Sequence, residues 1–520
     1  MKDHKKEIIR EYLTDDEPFG PIDASEVEGG QAAKVLFEHH NRIYNALHQR
    51  PSIVIGRRGS GKTSYLNTVY FDNKYRYVAK LEAAEAFTNV ISSVTEVSSG
   101  PVFAESVARL WENVLYVGLF GNIRNELDRK STALSYINDY LAKLGIRAGD
   151  TFDDVLWTVT EILARRSKNK TIGIVAEILR KLDNVTFKKA RDELISELKS
   201  KGHMAVILLD SLDDFQLQQG TVSRALQGLL KFVGESNKPS SPIDIRLCLP
   251  AELYHQFQTI SSNPNKDFRR KLDLHWIAPE LVMVASHRLN LYYEANHRAR
   301  FVQFNGQTES KAARRLLESI MPSTITSKYG ITEDTLAYIL RHTQLLPRHL
   351  LIILNSIHDK SKKINGNGMP KFTERTIRHG VAAVEETIVK EIFVAFKSSY
   401  PMAQAVCEQC IPELHHKFSI GDLERVFRTH GKKAMESDDF FLFKRMLIET
   451  GAVGKVLDDS ARYIQAEFEY TTAHKLVTGT DDMLCIHPLF TEIFSAKIRD
   501  QKPVYPYGAR IEDRDYRSYN

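Results

Sequence analysis

The sequence predicts a mixed α/β chain: a three-layer domain on a parallel sheet, then an all-α segment, then a small α+β module. Three observations predict it. An apolar run, Ser52-Ile53-Val54-Ile55, leads directly into Gly56-Arg-Arg-Gly-Ser-Gly61-Lys62-Thr63. A second apolar run, Ala205-Val-Ile-Leu-Leu-Asp210, ends on an acid. Strand-like runs alternate with helical periodicity up to about residue 278, after which helical spacing dominates.

The first run reads as a short buried strand, and the glycines after it let the backbone curl so that N–H groups point inward at phosphates. The segment from Lys62 to Thr68 reads as the start of a helix whose N-terminal dipole end adds to that site. In this pattern Lys62 reaches the β- and γ-phosphates of a nucleotide and the Thr63 hydroxyl coordinates Mg²⁺. Gly56, Gly59, Ser60, Gly61, Lys62, Thr63 and Ser64 are therefore the candidate ATP-binding residues.

Residues 75–81 alternate well enough for a second strand. Residues 83–202 exceed what a minimal core needs, and read as a helical insertion with helices at 103–123, 133–144, 152–165 and 172–198. Asp210 closes a buried strand at the edge where ligands bind in open α/β sheets, so it is placed to hold the Mg²⁺ shell through water. Asp213 and Asp214 follow; either orients the attacking water, or both cap the next helix or face solvent. A helix at 221–233 shows one apolar face. Strands at 243–249 and 272–276 complete the sheet, the last preceded by a basic turn holding Arg269 and Arg270.

Beyond Pro279 the expected helices span 279–294, 310–320, 332–343, 347–357 and Glu374–Phe396, with 360–370 as a flexible basic loop. Short helices at 402–411, 421–429 and 438–449 precede an alternating stretch at 463–470 and a strand near 483–488. Three helices followed by a β-hairpin suggest a winged helix. The expected domains are 1–30 as an N-terminal extension, 31–278 as the core with its insertion at 83–202, 279–398 as a lid, 399–498 as the winged-helix module and 499–520 as a disordered tail.

Composition bounds the rest. The chain has 520 residues, 42% hydrophobic and 26% charged, with a formal net charge of +5. These are values of an ordinary soluble protein, and the charge permits nucleic-acid contact without arguing for it. The sequence has no apolar run long enough for a membrane span and no secretory signal at its start. Its 4 cysteines form no disulfide framework, which fits a cytoplasmic location. Cys407 and Cys410, with Cys485 and His487, are either packed thiols or a zinc site of irregular spacing.

With these motifs in view, the chain resembles the STAND and origin-recognition branches of the AAA+ P-loop ATPases, and is most similar to bacterial members built as ATPase, helical lid and winged helix. The resemblance implies a P-loop NTPase core and ATPase activity. It makes Arg348, in Leu345-Leu-Pro347-Arg348, a candidate nucleotide sensor beside the reading as a surface arginine. It makes Arg269 or Arg270 a finger toward a neighbouring subunit or an internal sensor, beside the reading as a solvated turn. The Asp-Glu pair usual on the metal-side strand is here Asp210-Ser211, which points to a slow switch. The resemblance further implies an ATP-dependent switch controlling a protein partner or effector, as in antiviral defence, often through homo-oligomers. The alternative is a DNA-loading or DNA-remodelling ATPase. Carboxylates at 436, 438 and 439 and on the wing disfavour nucleic acid as the winged helix's partner.

Overall fold

Five short runs form one parallel sheet in the computed structural model: β1 (Ile53–Gly56), β2 (Tyr75–Glu82), β3 (Met204–Asp210), β4 (Ile243–Pro250) and β5 (Lys271–Leu274). The structure describes residues 2–27, 30–36, 49–70, 74–82, 101–147, 185–210, 220–236, 238–303, 309–327, 330–365, 369–460, 462–472, 475–498 and 502–507. Their packing divides the chain into two bodies, one of Arg42–Gly56 and Lys62–Leu274, the other of Met1–Asn41, Arg57–Gly61 and His275–Asn520.

In the first body the strand order is β2–β3–β4–β1–β5, and all pairings are parallel. This is the parallel α/β sheet that the sequence predicts: the glycine-rich loop leaves β1, and the Asp-ending strand β3 lies one strand away across β4. Parallel strands end at a common edge, so Gly56, paired with Pro250 and Leu274, and Asp210 emerge on the same side.

One face of the sheet carries Ala79, Leu81, Ile207, Leu209, Ile245 and Leu247 into a core with Trp111, Phe120 and Leu226. These come from helices Pro101–Ile123 and Gly220–Ser236. Trp111 Nε1 donates to Ala225 O at 2.8 Å, which satisfies its one donor inside the core. By strand alternation Asp244 and Arg246 take the other face. There the buried Asp244 accepts from Arg50 Nε at 2.7 Å and from Tyr75 OH at 2.6 Å, while Arg246 donates to Tyr75 OH at 3.1 Å. The charges neutralise one another, which is how a buried strand tolerates them. Of the insertion, helices Thr132–Lys143 and Val185–Lys201 are also present; the helix expected at 152–165 and the start of that at 172–198 lie outside the described residues.

The second body holds helices Ala278–Asn296, Glu309–Glu318, Thr335–Arg341, Pro347–Asn365 and Glu374–Phe396. The helix expected at 332–343 begins later, because Thr332–Asp334 (β7) pairs with Thr324–Thr326 (β6). Asp334 then caps the helix, accepting from Ala337 N at 2.8 Å. The flexible loop expected at 360–370 is corrected in its first half. Helix Pro347–Asn365 runs through it, since Asp359 and Lys363 pair at 2.8 Å one turn apart and lysine is a good helix former.

An N-terminal helix, Lys2–Tyr12, was not expected; it buries Ile8 and Ile9 and bridges Lys5 to Glu294 at 2.7 Å. The winged-helix module contains helices Ala403–Cys410, Ile420–Val426 and Phe440–Glu449. Its sheet comprises β8 (Lys417–Ser419), β9 (Val453–Asp458), β10 (Ile464–Glu467), β11 (Met483–Ile486) and β12 (Val504–Tyr505), in the order β12–β10–β9–β11–β8. β12 lies in the stretch expected to be a disordered tail. It is held by its pairing with β10 and by Tyr505 OH donating to Glu333 Oε2 at 2.8 Å. Among the described residues no helix is long and apolar enough to cross a membrane.

Gly380 marks a close approach of two helices in this body: a Cβ there would stand 2.6 Å from Ile357 Cα and 2.8 Å from its amide nitrogen. Backbone cannot yield as a side-chain tip can, so Gly380→Ala is expected to lower stability by about 1–3 kcal/mol. The midpoint of denaturant unfolding measures this, and an unchanged midpoint contradicts the packing described.

Candidate functional site

In the sheet body, Gly56 ends β1 and Lys62 opens the helix Lys62–Asn67. Lys62 is buried, and its Nζ donates to Gly56 O at 3.1 Å. That contact folds the lysine back along the loop. Thr63 Oγ1 donates to Asp210 Oδ2 at 2.7 Å, across 147 positions of sequence. Asp210 is buried at the end of β3. Ser64 follows on the first turn. The helix is only 6 residues long before it tightens into a 3₁₀ turn, so its dipole is weaker than the sequence reading supposes, and the weight falls on Lys62 and the loop amides.

Arg57–Gly61 packs with the second body. Gly59 and Gly61 have φ of 83° and 88°, left-handed values that favour glycine. Ser60 N donates to Arg57 O at 3.0 Å, closing the curl. The loop's carbonyls are taken up by protein donors: Trp276 Nε1 donates to Ser60 O at 2.9 Å, and Arg348 N to Gly59 O at 3.4 Å. Among the described residues the amides of Gly59 and Gly61 have no acceptor, and the buried Ser60 hydroxyl has no partner. The Arg57 guanidinium lies 5.4 Å from the ring centroids of both Phe396 and Tyr470.

Arg348 comes to the loop through its backbone, while its guanidinium pairs with the Asp23 carboxylate. The N-terminal segment continues along the same helix face: Asn355 Nδ2 donates to Gly20 O at 3.1 Å, His358 Nε2 lies 2.9 Å from Asp15 O, and Lys362 bridges to Asp16. The spacing 348, 355, 358 and 362 is one stripe of a helix. Trp276, Arg57 and Asp23 are the residues the sequence reading missed. Arg57 was visible beside the glycines, whereas nothing local points to Asp23, 325 positions from its partner.

Arg269 and Arg270 precede β5 at the edge opposite Gly56 and Asp210. The four-residue strand separates the two edges by about 13 Å. Arg269 is exposed, and Arg270 O receives Ser52 N at 2.8 Å. This position does not suit an internal sensor, while an exposed basic turn and a finger toward another subunit both fit it. Asp213 and Asp214 lie outside the described residues.

The cysteines are free and buried. Burial raises the thiols of Cys407 and Cys410, the latter to about 12. His487 Nδ1 accepts from Leu489 N, and its Nε2 lies 2.7 Å from Tyr470 OH. Among the described residues no group of three or more His, Cys, Asp or Glu could hold a metal ion, so packed thiols describe this cluster and zinc does not.

Mg²⁺ and a triphosphate are implied by the motif, and the donors suit both. The Thr63 hydroxyl and Asp210 carboxylate are adjacent hard oxygen ligands. In the sheet body the Lys62 ammonium, and in the other body the amides of Gly59 and Gly61, are each donors of the kind that a phosphate's oxygens accept from.

Buried His349 accepts from Gln344 N at 3.2 Å through Nδ1. Burial, then the charges of Arg57 and Arg348, lower its pKa to about 3. The folded imidazole thus stays neutral, while the unfolded one protonates near 6.5, so stability is lost as pH falls below 6.5. About 2 kcal/mol should go between pH 6.5 and 5 from this residue. Thermal melts across that interval should show a shallower pH slope in His349→Gln; equal slopes contradict the assignment.

No protein-family model and no curated protein matches the chain. Among solved structures, the Aeropyrum pernix ORC2 protein, solved as ADPNP–ADP complexes, aligns with 10% sequence identity and a TM-score of 0.37, covering 87% of this chain and 91% of that chain.

Proposed function

We propose that the chain is an ATP-binding P-loop ATPase that works as a slow nucleotide-dependent switch on a protein partner or effector. The carrying observation is the Thr63–Asp210 hydrogen bond of 2.7 Å beside the Lys62–Gly56 contact of 3.1 Å. Two motifs far apart in sequence meet as a cation, a hydroxyl and a carboxylate, the groups that bind a magnesium triphosphate. When bound, Mg²⁺ supplies charge neutralisation between the phosphates. Lys62 and the amides of Gly59 and Gly61 would then hold phosphate oxygens, Thr63 and Asp210 would hold the metal, and Asp213 or Asp214 is the proposed water-orienting group.

The switch reading also rests on Arg348. Its pairing with Asp23 supports a sensor whose carboxylate partner occupies it until a phosphate competes. The STAND and origin-recognition resemblance supports control of an effector, with bacterial antiviral defence as the proposed setting, a homo-oligomer as the proposed assembly and Arg269 or Arg270 as the finger between subunits.

A DNA-loading role is the less favoured reading because the winged helix offers little unopposed positive charge. Lys432 is bridged to Asp438 at 2.7 Å, Arg428 to Glu424 at 3.2 Å and Lys455 to Asp482 at 2.8 Å. Asp439 caps the third helix by accepting from Leu442 N at 2.9 Å.

The test is calorimetric titration with ATP and Mg²⁺, joined to solution mass with ATP, ADP and no nucleotide. Lys62→Ala should weaken ATP binding about ten- to a hundredfold, and Asp210→Ala should abolish the gain in affinity from Mg²⁺. Wild-type mass or conformation should differ between ATP and ADP. Indifference to nucleotide sinks the switch; DNA-stimulated turnover with a steep salt dependence favours the rival.

A further inference from the structure

The phosphate loop is gripped at three of its residues, Arg57, Gly59 and Ser60, by groups outside it, and one grip is of a different kind from the others. Gly59 O and Ser60 O accept from Arg348 N and Trp276 Nε1, contacts that simply satisfy loop carbonyls. Arg57 is different. Its guanidinium is sandwiched, 5.4 Å from each ring centroid, between Phe396 at the end of the lid helix Glu374–Phe396 and Tyr470 of the winged-helix module.

Both rings are themselves fixed. Tyr470 OH is 2.7 Å from His487 Nε2, and the Tyr470 ring lies against Gly451, where an added Cβ would meet its Cδ1 at 3.2 Å. Gln344 Nε2 of the lid donates to Thr450 O at 2.9 Å beside it. Phe396 stacks on Tyr400 with centroids 6.3 Å apart. Around the guanidinium, His349 and His487 are held neutral by burial, and Glu469 is the neighbouring carboxyl. Arg57 therefore presents its guanidinium to two aromatic surfaces.

The backbone of Arg57 belongs to the curl, because its carbonyl accepts from Ser60 N at 3.0 Å. Anything that fixes the curl fixes where the Arg57 side chain starts. A guanidinium over an aromatic face is worth about a two- to thirtyfold bias per contact, and it falls off within about 6 Å of the ring. A small shift of the curl therefore changes the hold on Tyr470.

We infer that Arg57 is a positioning residue that couples the state of the phosphate loop to the winged-helix module through Phe396 and Tyr470. This rests on the proposed nucleotide reading of the loop. Nucleotide in the loop steadies Arg57 between the rings and so steadies the segment around Tyr470. By linkage, the rings' hold on Arg57 tightens nucleotide binding by the same factor.

The experiment uses the full chain with Mg²⁺–ATP, measuring affinity by calorimetry and amide hydrogen exchange of residues 464–471 with and without ATP. Wild type should gain protection in that segment on binding ATP. Arg57→Gln and Tyr470→Leu should each weaken ATP binding about three- to tenfold and lose the ATP-dependent protection. The double variant should be no weaker than either single one. Arg57→Lys, which keeps the cation, should recover part of the coupling, and Tyr470→Phe, which keeps the ring and guards against a folding defect in Tyr470→Leu, should retain most of it. Additive losses, or protection equal with and without ATP while wild type binds ATP, overturn the coupling alone. A wild type that binds no ATP overturns the nucleotide reading, and the coupling with it.

Discussion

A peptide curl built on two left-handed glycines exposes more backbone polarity than it can satisfy internally, and that constraint organises the site. The curl between Gly56 and Lys62 makes one internal backbone bond, from Ser60 N to Arg57 O. Its outward carbonyls are met by Trp276 and Arg348. Backbone groups left unpaired away from water are costly, so a fold that keeps the amides of Gly59 and Gly61 open must supply the other partners itself. The Trp276 indole and helix Pro347–Asn365 do that, and under the proposed reading the open amides receive an anion.

The same economy explains the polar residues buried elsewhere. Asp210 is tolerable at the end of β3 because Thr63 donates to it. Asp244 and Arg246 share a strand because Arg50 and Tyr75 complete their network. Glu333, fully buried, is matched by Arg341 and by Tyr505 from the far end of the chain. Each is a case where a buried charge is paired and hydrogen-bonded rather than left alone.

Much of this was legible in the sequence, for identifiable reasons. Apolar runs bounded by polar turns located all five strands of the parallel sheet, and helix Glu374–Phe396 could be read to both ends because Thr373 caps it and its apolar spacing is regular. The glycine-rich loop and the acid that ends β3 could be picked out because each is a local sequence pattern, whereas the contact between Thr63 and Asp210 spans 147 positions. What escaped depends on distant partners. The strand Val504–Tyr505 exists through its pairing with β10, and two residues carry little periodicity. Helix Lys2–Tyr12 is short and mostly charged, and its ion pair from Lys5 to Glu294 spans 289 positions. The lysines after Asp359 look like a loop by charge, yet continue a helix. Trp276, 216 positions from Ser60, carried no sign of its role, and the partner of Arg348 could not be foreseen from the Pro347-Arg348 pair.

The account depends most on the amides of Gly59 and Gly61 being the groups that receive phosphate oxygens. Labelling glycine with ¹⁵N and following amide resonances on addition of Mg²⁺–ATP observes those groups directly. Large downfield shifts of the Gly59 and Gly61 signals, absent in Lys62→Ala at the same concentration, are predicted. Signals that stay in place at saturating ATP would contradict it.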